Sequence, residues 1–228
     1  MVLTHAHLDH TGYLPLLVRD GFRGPVYCTP ATRDLCGVLL RDSGHLQEEE
    51  ARFAAKHGYS RHHPPLPLYT RADAERSLES LRGTPFGEDV ELGEGLRFCF
   101  RPAGHMLGAA TVTLADGHTT LAFSGDLGRP NDPLLPPPAP LPNTGARSVK
   151  IQGQQVTVRA EVAALDNVSA HAGHAEILDW LGRMAGAPRE VFAVHGEPVA
   201  SDALRRRIQD RFGWSCRVPE HREHVLLV

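Results

Sequence analysis

Four potential metal ligands crowd into the six residues His5-Ala6-His7-Leu8-Asp9-His10. Three imidazoles and a carboxylate at alternate and adjacent positions, directly after the apolar Val2-Leu3, fit a loop that leaves a strand end and cups metal ions from two sides. A surface loop has no structural reason to concentrate these groups. A solvated histidine-rich turn or a tag remnant would lack the interposed acid and the flanking strand. Such a loop constrains the whole chain, because ligands for a buried site come from several separated loops that the fold must bring together.

Two later elements offer such ligands: Pro102-Ala103-Gly104-His105-Met106-Leu107-Gly108 and Phe123-Ser124-Gly125-Asp126-Leu127-Gly128. Each follows a strand-like stretch, Leu96 to Phe100 and Thr120 to Phe123, and each carries one good ligand among glycines that let backbones approach closely. With the first run, their order resembles the motif order of the metallo-β-lactamase superfamily. Near the C-terminal end, Val168-Ser169-Ala170-His171-Ala172 and Phe192-Ala193-Val194-His195-Gly196-Glu197 are similar to the last two signatures of its β-CASP branch, which contains nucleic-acid-processing hydrolases.

The resemblance implies an α/β fold, the αββα sandwich of the superfamily. It also implies that strands normally preceding the first histidine run, and the β-CASP insertion with its acidic motif, are absent, so the expected fold is truncated. The expected organisation is a first part of the core at 1–129, a proline-rich linker at 130–147 where the insertion would stand, and the rest of the core at 148–228. Carried over residue by residue, the resemblance implies two zinc ions. His5, His7 and His105 would hold one, Asp9, His10 and His195 the other, and Asp126 would bridge them. Asp9, Asp126 and His171 are the implied catalytic residues, with His171 protonating or hydrogen-bonding the leaving oxygen, a task suited to an imidazole near neutral pH. DNA-cutting relatives tend to lack a histidine at the place of His195, which favours RNA as the substrate.

Composition agrees with a globular protein. The chain has 228 residues, 41% hydrophobic and 22% charged, enough to bury a sizeable core. No apolar stretch reaches the ~18 residues of a membrane span and no signal peptide precedes the first motif, so no membrane partner and a cytoplasmic location are expected. Cys28, Cys36, Cys99 and Cys216 form no C-x-x-C pair and read as small core residues. A net charge of −3 excludes the broad positive field of a non-specific nucleic-acid binder, so any grip on RNA must be local. Arg205-Arg206-Arg207 lies in a helical pattern and reads as a solvated face. The strand at Val2-Leu3, lacking an upstream neighbour, would expose a sheet edge and invite homodimer pairing.

The coarse pattern alternates helices and strands. Helices are predicted at Tyr13 to Arg19, Ala31 to Arg41, Leu46 to His57 and from Thr70 to about Leu81, where Thr70 and Asp73 form a capping-box start. Val26 to Cys28 reads as a strand, and from Pro85 to Phe123 short alternating segments predict an antiparallel sheet. Seven prolines between Pro130 and Pro142 exclude helix and strand interiors there. Strands at Val149 to Ile151, Gln155 to Val158 and Glu161 to Leu165, with a turn at Gly153, then helices at Ala175 to Met184 and Ser201 to Phe212 around a strand at Val191 to Val194, complete the pattern.

Three functions fit these residues. The first is a zinc-dependent hydrolase of RNA phosphodiester bonds. The others are a metallohydrolase of small esters, thioesters or phosphodiesters, and an inactive zinc-binding fragment.

Overall fold

The computed structural model describes residues 1–140, 171–184, 186–220 and 223–225, and the backbone of 149–150. The predicted strands at Gln155 to Val158 and Glu161 to Leu165, the turn at Gly153, Val168-Ser169-Ala170 and the end of the proline stretch lie outside the described residues. The chain divides into two compact units, Met1–Pro85 with Leu107–Ala109, and Phe86–Met106 with Ala110–Val228. Among the described residues no helix is long and apolar enough to cross a membrane.

The first unit is mainly helical. Short helices α1 (Leu8–Thr11) and α2 (Leu14–Arg19) precede strand β1 (Val26–Cys28), the long helix α3 (Pro30–His57), helix α4 (Arg71–Leu78) and strand β2 (Leu81–Gly83). β1 pairs with β2 in parallel, Val26 opposite Leu81, and Val2 forms an isolated parallel bridge to Tyr27. The expected strand at Val2-Leu3 is therefore a single bridge held by Tyr27 N–H to Met1 O at 2.9 Å and Leu3 N–H to Tyr27 O at 2.8 Å.

Two helices were expected between Ala31 and His57, but α3 runs through without a break. Thr29 caps it, accepting from Thr32 N–H, Pro30 occupies its first turn, and Gly58 at φ 66° ends it in the left-handed region. Gly44 is no breaker in this setting. An added Cβ there would stand 2.9 Å from backbone atoms of Thr70 and Arg71, so the missing side chain lets α3 meet the start of α4. That contact offsets the ~1 kcal/mol a mid-helix glycine costs. α4 carries the predicted capping box but stops at Leu78, because the chain is drawn into β2, where Leu81 is buried.

Among the described residues the second unit is built on a seven-stranded sheet in sequential order: β3 (Asp89–Gly93), β4 (Leu96–Pro102), β5 (Ala110–Ala115), β6 (Thr120–Phe123), β7 (Val149–Lys150), β8 (Val191–Phe192) and β9 (Cys216–Arg217). The pairs from β3 to β6 are antiparallel, as the alternating pattern predicts, and those from β6 to β9 are parallel. The parallel steps match the alternation of strand and helix in this half, with α5 (His174–Leu181) before β8 and α6 (Pro198–Phe212) between β8 and β9. Phe98 and Phe100 pack edge to face at 5.2 Å in the core, and α5 and α6 bury Leu178, Trp180, Leu181 and Ile208. The described part of the proline stretch has neither helix nor strand, yet it is anchored: Ala139 N–H donates to Pro102 O at 2.8 Å, and Trp180 Nε1–H donates to Ala139 O at 3.0 Å.

Candidate metal centre

In the first unit the short bridge to β1 delivers the chain directly into the histidine run, and α1 begins inside it. The carbonyl of His7 accepts from the backbone N–H groups of His10 and Thr11, each at 3.0 Å, and from the Thr11 hydroxyl at 3.0 Å. Thr11 is buried and also donates to Ala6 O at 3.2 Å, so one hydroxyl closes the turn that carries all four candidate ligands. Winding Leu8–Thr11 into a helical turn gathers side chains that the sequence spreads out. His5 Nε2 and His7 Nδ1 stand 3.2 Å apart, the His5 and His10 rings lie 4.1 Å apart, and His10 Nε2 is 3.5 Å from Asp9 Oδ2.

His5 is fully buried, and its Nδ1 is 3.2 Å from the Thr4 hydroxyl. With Thr4 holding Nδ1, Nε2 is the nitrogen turned towards His7. Such a contact aims a candidate imidazole ligand. Thr4 and Thr11 are not ligand types, and the sequence alone does not mark them as part of the site. A hydroxyl beside each end of the histidine run was the available signal.

In the second unit His105 and Asp126, both buried, face each other with Nε2 and Oδ2 3.6 Å apart. Their approach depends on glycine. Gly128 N–H donates to Ala103 O at 2.8 Å, and a Cβ on Gly128 would fall 1.7 Å from the Gly104 carbonyl oxygen. Gly104 itself sits at φ 70°. His171, largely exposed, lies over the same pair: its ring centroid is 4.4 Å from that of His105, and its Nδ1 is 3.8 Å from Asp126 Oδ2. Ala172 N–H donates to Leu127 O at 2.8 Å, which pins this segment beside the one carrying Asp126.

His195 enters three residues beyond Phe192 of β8, half-buried and at φ 76°. A non-glycine residue held in the left-handed region costs energy that the surrounding fold must offset, and such residues cluster at functional sites. His174, the other histidine near His171, is the first residue of α5 and is exposed. The remaining described histidines, His45, His57, His62, His63, His118 and His224, are exposed, as expected of surface residues.

The donors suit a hard-to-borderline divalent cation. Imidazole nitrogens and a carboxylate are the usual zinc ligands, and within each unit they already converge, His5 with His7 and His105 with Asp126, each pair having ligand atoms within 4.8 Å. The four cysteines are buried and lie outside these groups.

Parts of the chain are similar to known proteins. The family described as the Zn-dependent metallo-hydrolase RNA specificity domain matches residues 155–219. Ribonuclease TTHA0252 of Thermus thermophilus is 39% identical over 139 residues, which are 61% of this chain and 28% of the relative. Transcription termination factor FttA of Methanothermobacter thermautotrophicus is 34% identical over 131 residues, 55% of this chain and 18% of the relative. The chain thus spans less than a third of the length of these relatives. Among solved structures, the metallo-β-lactamase fold protein YhfI of Bacillus subtilis superposes with a TM-score of 0.52 at 12% identity, covering 96% of this chain and 73% of that one. In fold the chain thus resembles metallo-β-lactamase fold proteins, and over residues 155–219 it matches the Zn-dependent metallo-hydrolase RNA specificity domain.

Proposed function

We propose that this chain is a zinc-dependent hydrolase of RNA phosphodiester bonds, with two zinc ions held by His5, His7 and His105 and by Asp9, His10 and His195, and Asp126 bridging them. The observation that carries the reading is the turning of ligand atoms on one another inside each unit: His5 Nε2 on His7 Nδ1 at 3.2 Å, and His105 Nε2 on Asp126 Oδ2 at 3.6 Å. Burying imidazoles and a carboxylate is costly, and a shared cation is what repays it. The substrate class is supported by the match to an RNA specificity domain and by the relative named as a ribonuclease.

Zinc bound there supplies Lewis-acid activation of water and of the phosphoryl oxygens. Thr4 aims His5, and Gly104 and Gly128 hold His105 against Asp126. His171, exposed beside this pair, donates a hydrogen bond or a proton to the leaving oxygen. We place the activity in the cytoplasm, where buried free thiols remain reduced. Homodimer pairing would run along the short Met1–Leu3 edge.

The test is elemental analysis of the purified, tag-free chain, with His5→Ala and Asp126→Ala beside it, followed by cleavage of an RNA oligonucleotide against a chromogenic ester. About two zinc ions per chain, lost in both variants, with RNA preferred over the ester, is the expected result. A zinc-free chain overturns the metal assignment, and preference for the ester overturns the substrate class.

A further inference from the structure

At the C-terminal ends of α5 and α6, Gly213 ends α6 at φ 66° and turns the chain so that Trp214 stacks on Phe212, ring centroids 4.5 Å apart and planes 21° from parallel. The Arg211 guanidinium lies 5.3 Å from the Phe212 centroid and is tied at 2.7 Å to Asp179 of α5. Gly182 approaches the same ring, since a Cβ there would stand 3.4 Å from Phe212 Cε1, and the exposed Arg183 is the next residue. Phe212 and Trp214 are only half-buried, and Arg183, Arg207 and Arg211 are exposed. Arg207 lies one helical turn before Arg211 on the same side of α6. Asp202 takes up Arg205 and Arg206, and Asp179 takes up Arg211, whereas Arg183 and Arg207 enter no ion pair among the described residues. A partly exposed aromatic stack edged by uncompensated guanidinium groups is the chemistry that holds single-stranded nucleic acid.

We propose that single-stranded RNA is gripped at this place, a base stacking on Trp214 while backbone phosphates meet Arg183 and Arg207. The grip rests on the reading of RNA as the substrate and adds a contact outside the metal ligands. Leu127 and Ala172, the residues after Asp126 and His171, line a small cleft together with Glu176, Asp179, Trp180 and Arg183. Asp179 lines that cleft and also pairs with Arg211, whose guanidinium lies beside Phe212. The local arginines also answer the requirement, set by a net charge of −3, that any grip on RNA be local.

The chain has two tryptophans, Trp180 being buried, so a quenching signal that is lost in Trp214→Phe is assigned to Trp214. The full chain is mixed in a stopped-flow instrument with a 12-nucleotide oligoadenylate and read before cleavage. Quenching is expected in the wild type. Affinity, read by anisotropy of the labelled oligonucleotide, should fall roughly tenfold in Trp214→Ala and stay within about twofold in Trp214→Phe, because any aromatic face stacks a base. Arg183→Ala should lower the slope of log affinity against log salt by about one. If wild type and Trp214→Ala bind RNA equally, the proposal falls while the RNA hydrolase reading stands. Equal loss in the alanine and phenylalanine variants, with a lowered melting temperature, would make the stack a helix clasp and also overturn it. A wild type that binds no RNA at all overturns both readings.

Discussion

Gly128 and Gly104 pack backbone against backbone so closely that a single methyl group on Gly128 would sit 1.7 Å from the Gly104 carbonyl oxygen. This contact brings His105 and Asp126 together from two different strand ends. Gly128→Ala should therefore destabilise the chain by about 1–3 kcal/mol, as other overpacking changes do, and should abolish zinc retention. Gly186→Ala is the control, because nothing lies within 4 Å of its Cβ position. Melting temperatures with zinc content of both variants check the prediction, and a Gly128→Ala chain that keeps its metal would contradict it.

Thr4 touches His5 and is not itself a ligand. Replacing it by valine keeps the shape and removes the hydroxyl that meets His5 Nδ1. Zinc affinity, measured by competition with a chelator, should fall about 10–100-fold, with folding intact. An unchanged affinity would show that the hydroxyl does not orient the ring.

His171 is expected to act on the leaving group without holding zinc. His171→Ala should retain the metal and lose roughly 10²–10⁴-fold in turnover. His105→Ala should lose both metal and turnover. Zinc loss in His171→Ala would instead make it a ligand.

Asp73 gives a stability prediction away from the centre. Burial works to raise its carboxyl, but the Thr70 backbone N–H and hydroxyl, at 2.9 and 2.7 Å, and the paired Arg76 outweigh it and hold it below its ordinary 3.8. A carboxyl lowered by folding stabilises the native state above its unfolded value, and that contribution fades as pH falls through the lower folded value. Asp73→Ala should cost about 1–2 kcal/mol at pH 7. In denaturant titrations across pH, the gap to wild type should stay constant down to about pH 5 and close below about 4. A gap that widened in acid would reverse the assignment.

Burial pushes the thiols of Cys28 up to about 12 and of Cys36 and Cys216 up to about 11, and raises that of Cys99. At pH 8 roughly one thiol in a thousand or fewer would be thiolate at these values. The native chain should therefore resist a thiol-specific reagent, and the four cysteines should react in denaturant. Rapid labelling of the native protein would place at least one of them outside the core.

Much of the architecture was legible in local pattern. The Thr70 and Asp73 cap depends on neighbours within a few residues, and the cap, the strand at Val26–Cys28 and the antiparallel run from β3 to β6 are each where the pattern puts them. The misjudged boundaries have distant causes. α3 continues through Gly44 because the start of α4 fills the space beside it, and α4 stops at Leu78 because β1 recruits Leu81. Likewise, the proline stretch reads as a linker by composition, while its anchoring by Trp180 depends on a residue some forty positions away.

From the sequence by itself came the chemistry: which imidazoles and carboxylates exist, their spacing in the His5 to His10 run, and the glycines beside His105 and Asp126 that permit close approach. Ligand identity is a property of residue type, so it survives without coordinates. Tertiary structure decided which atoms face one another. Thr4 on His5, Thr11 closing the turn, Gly104 against Gly128 and His171 over Asp126 are relations of distance and direction. They arise only when packing fixes backbone positions to a fraction of an ångström, a constraint that no local spacing encodes.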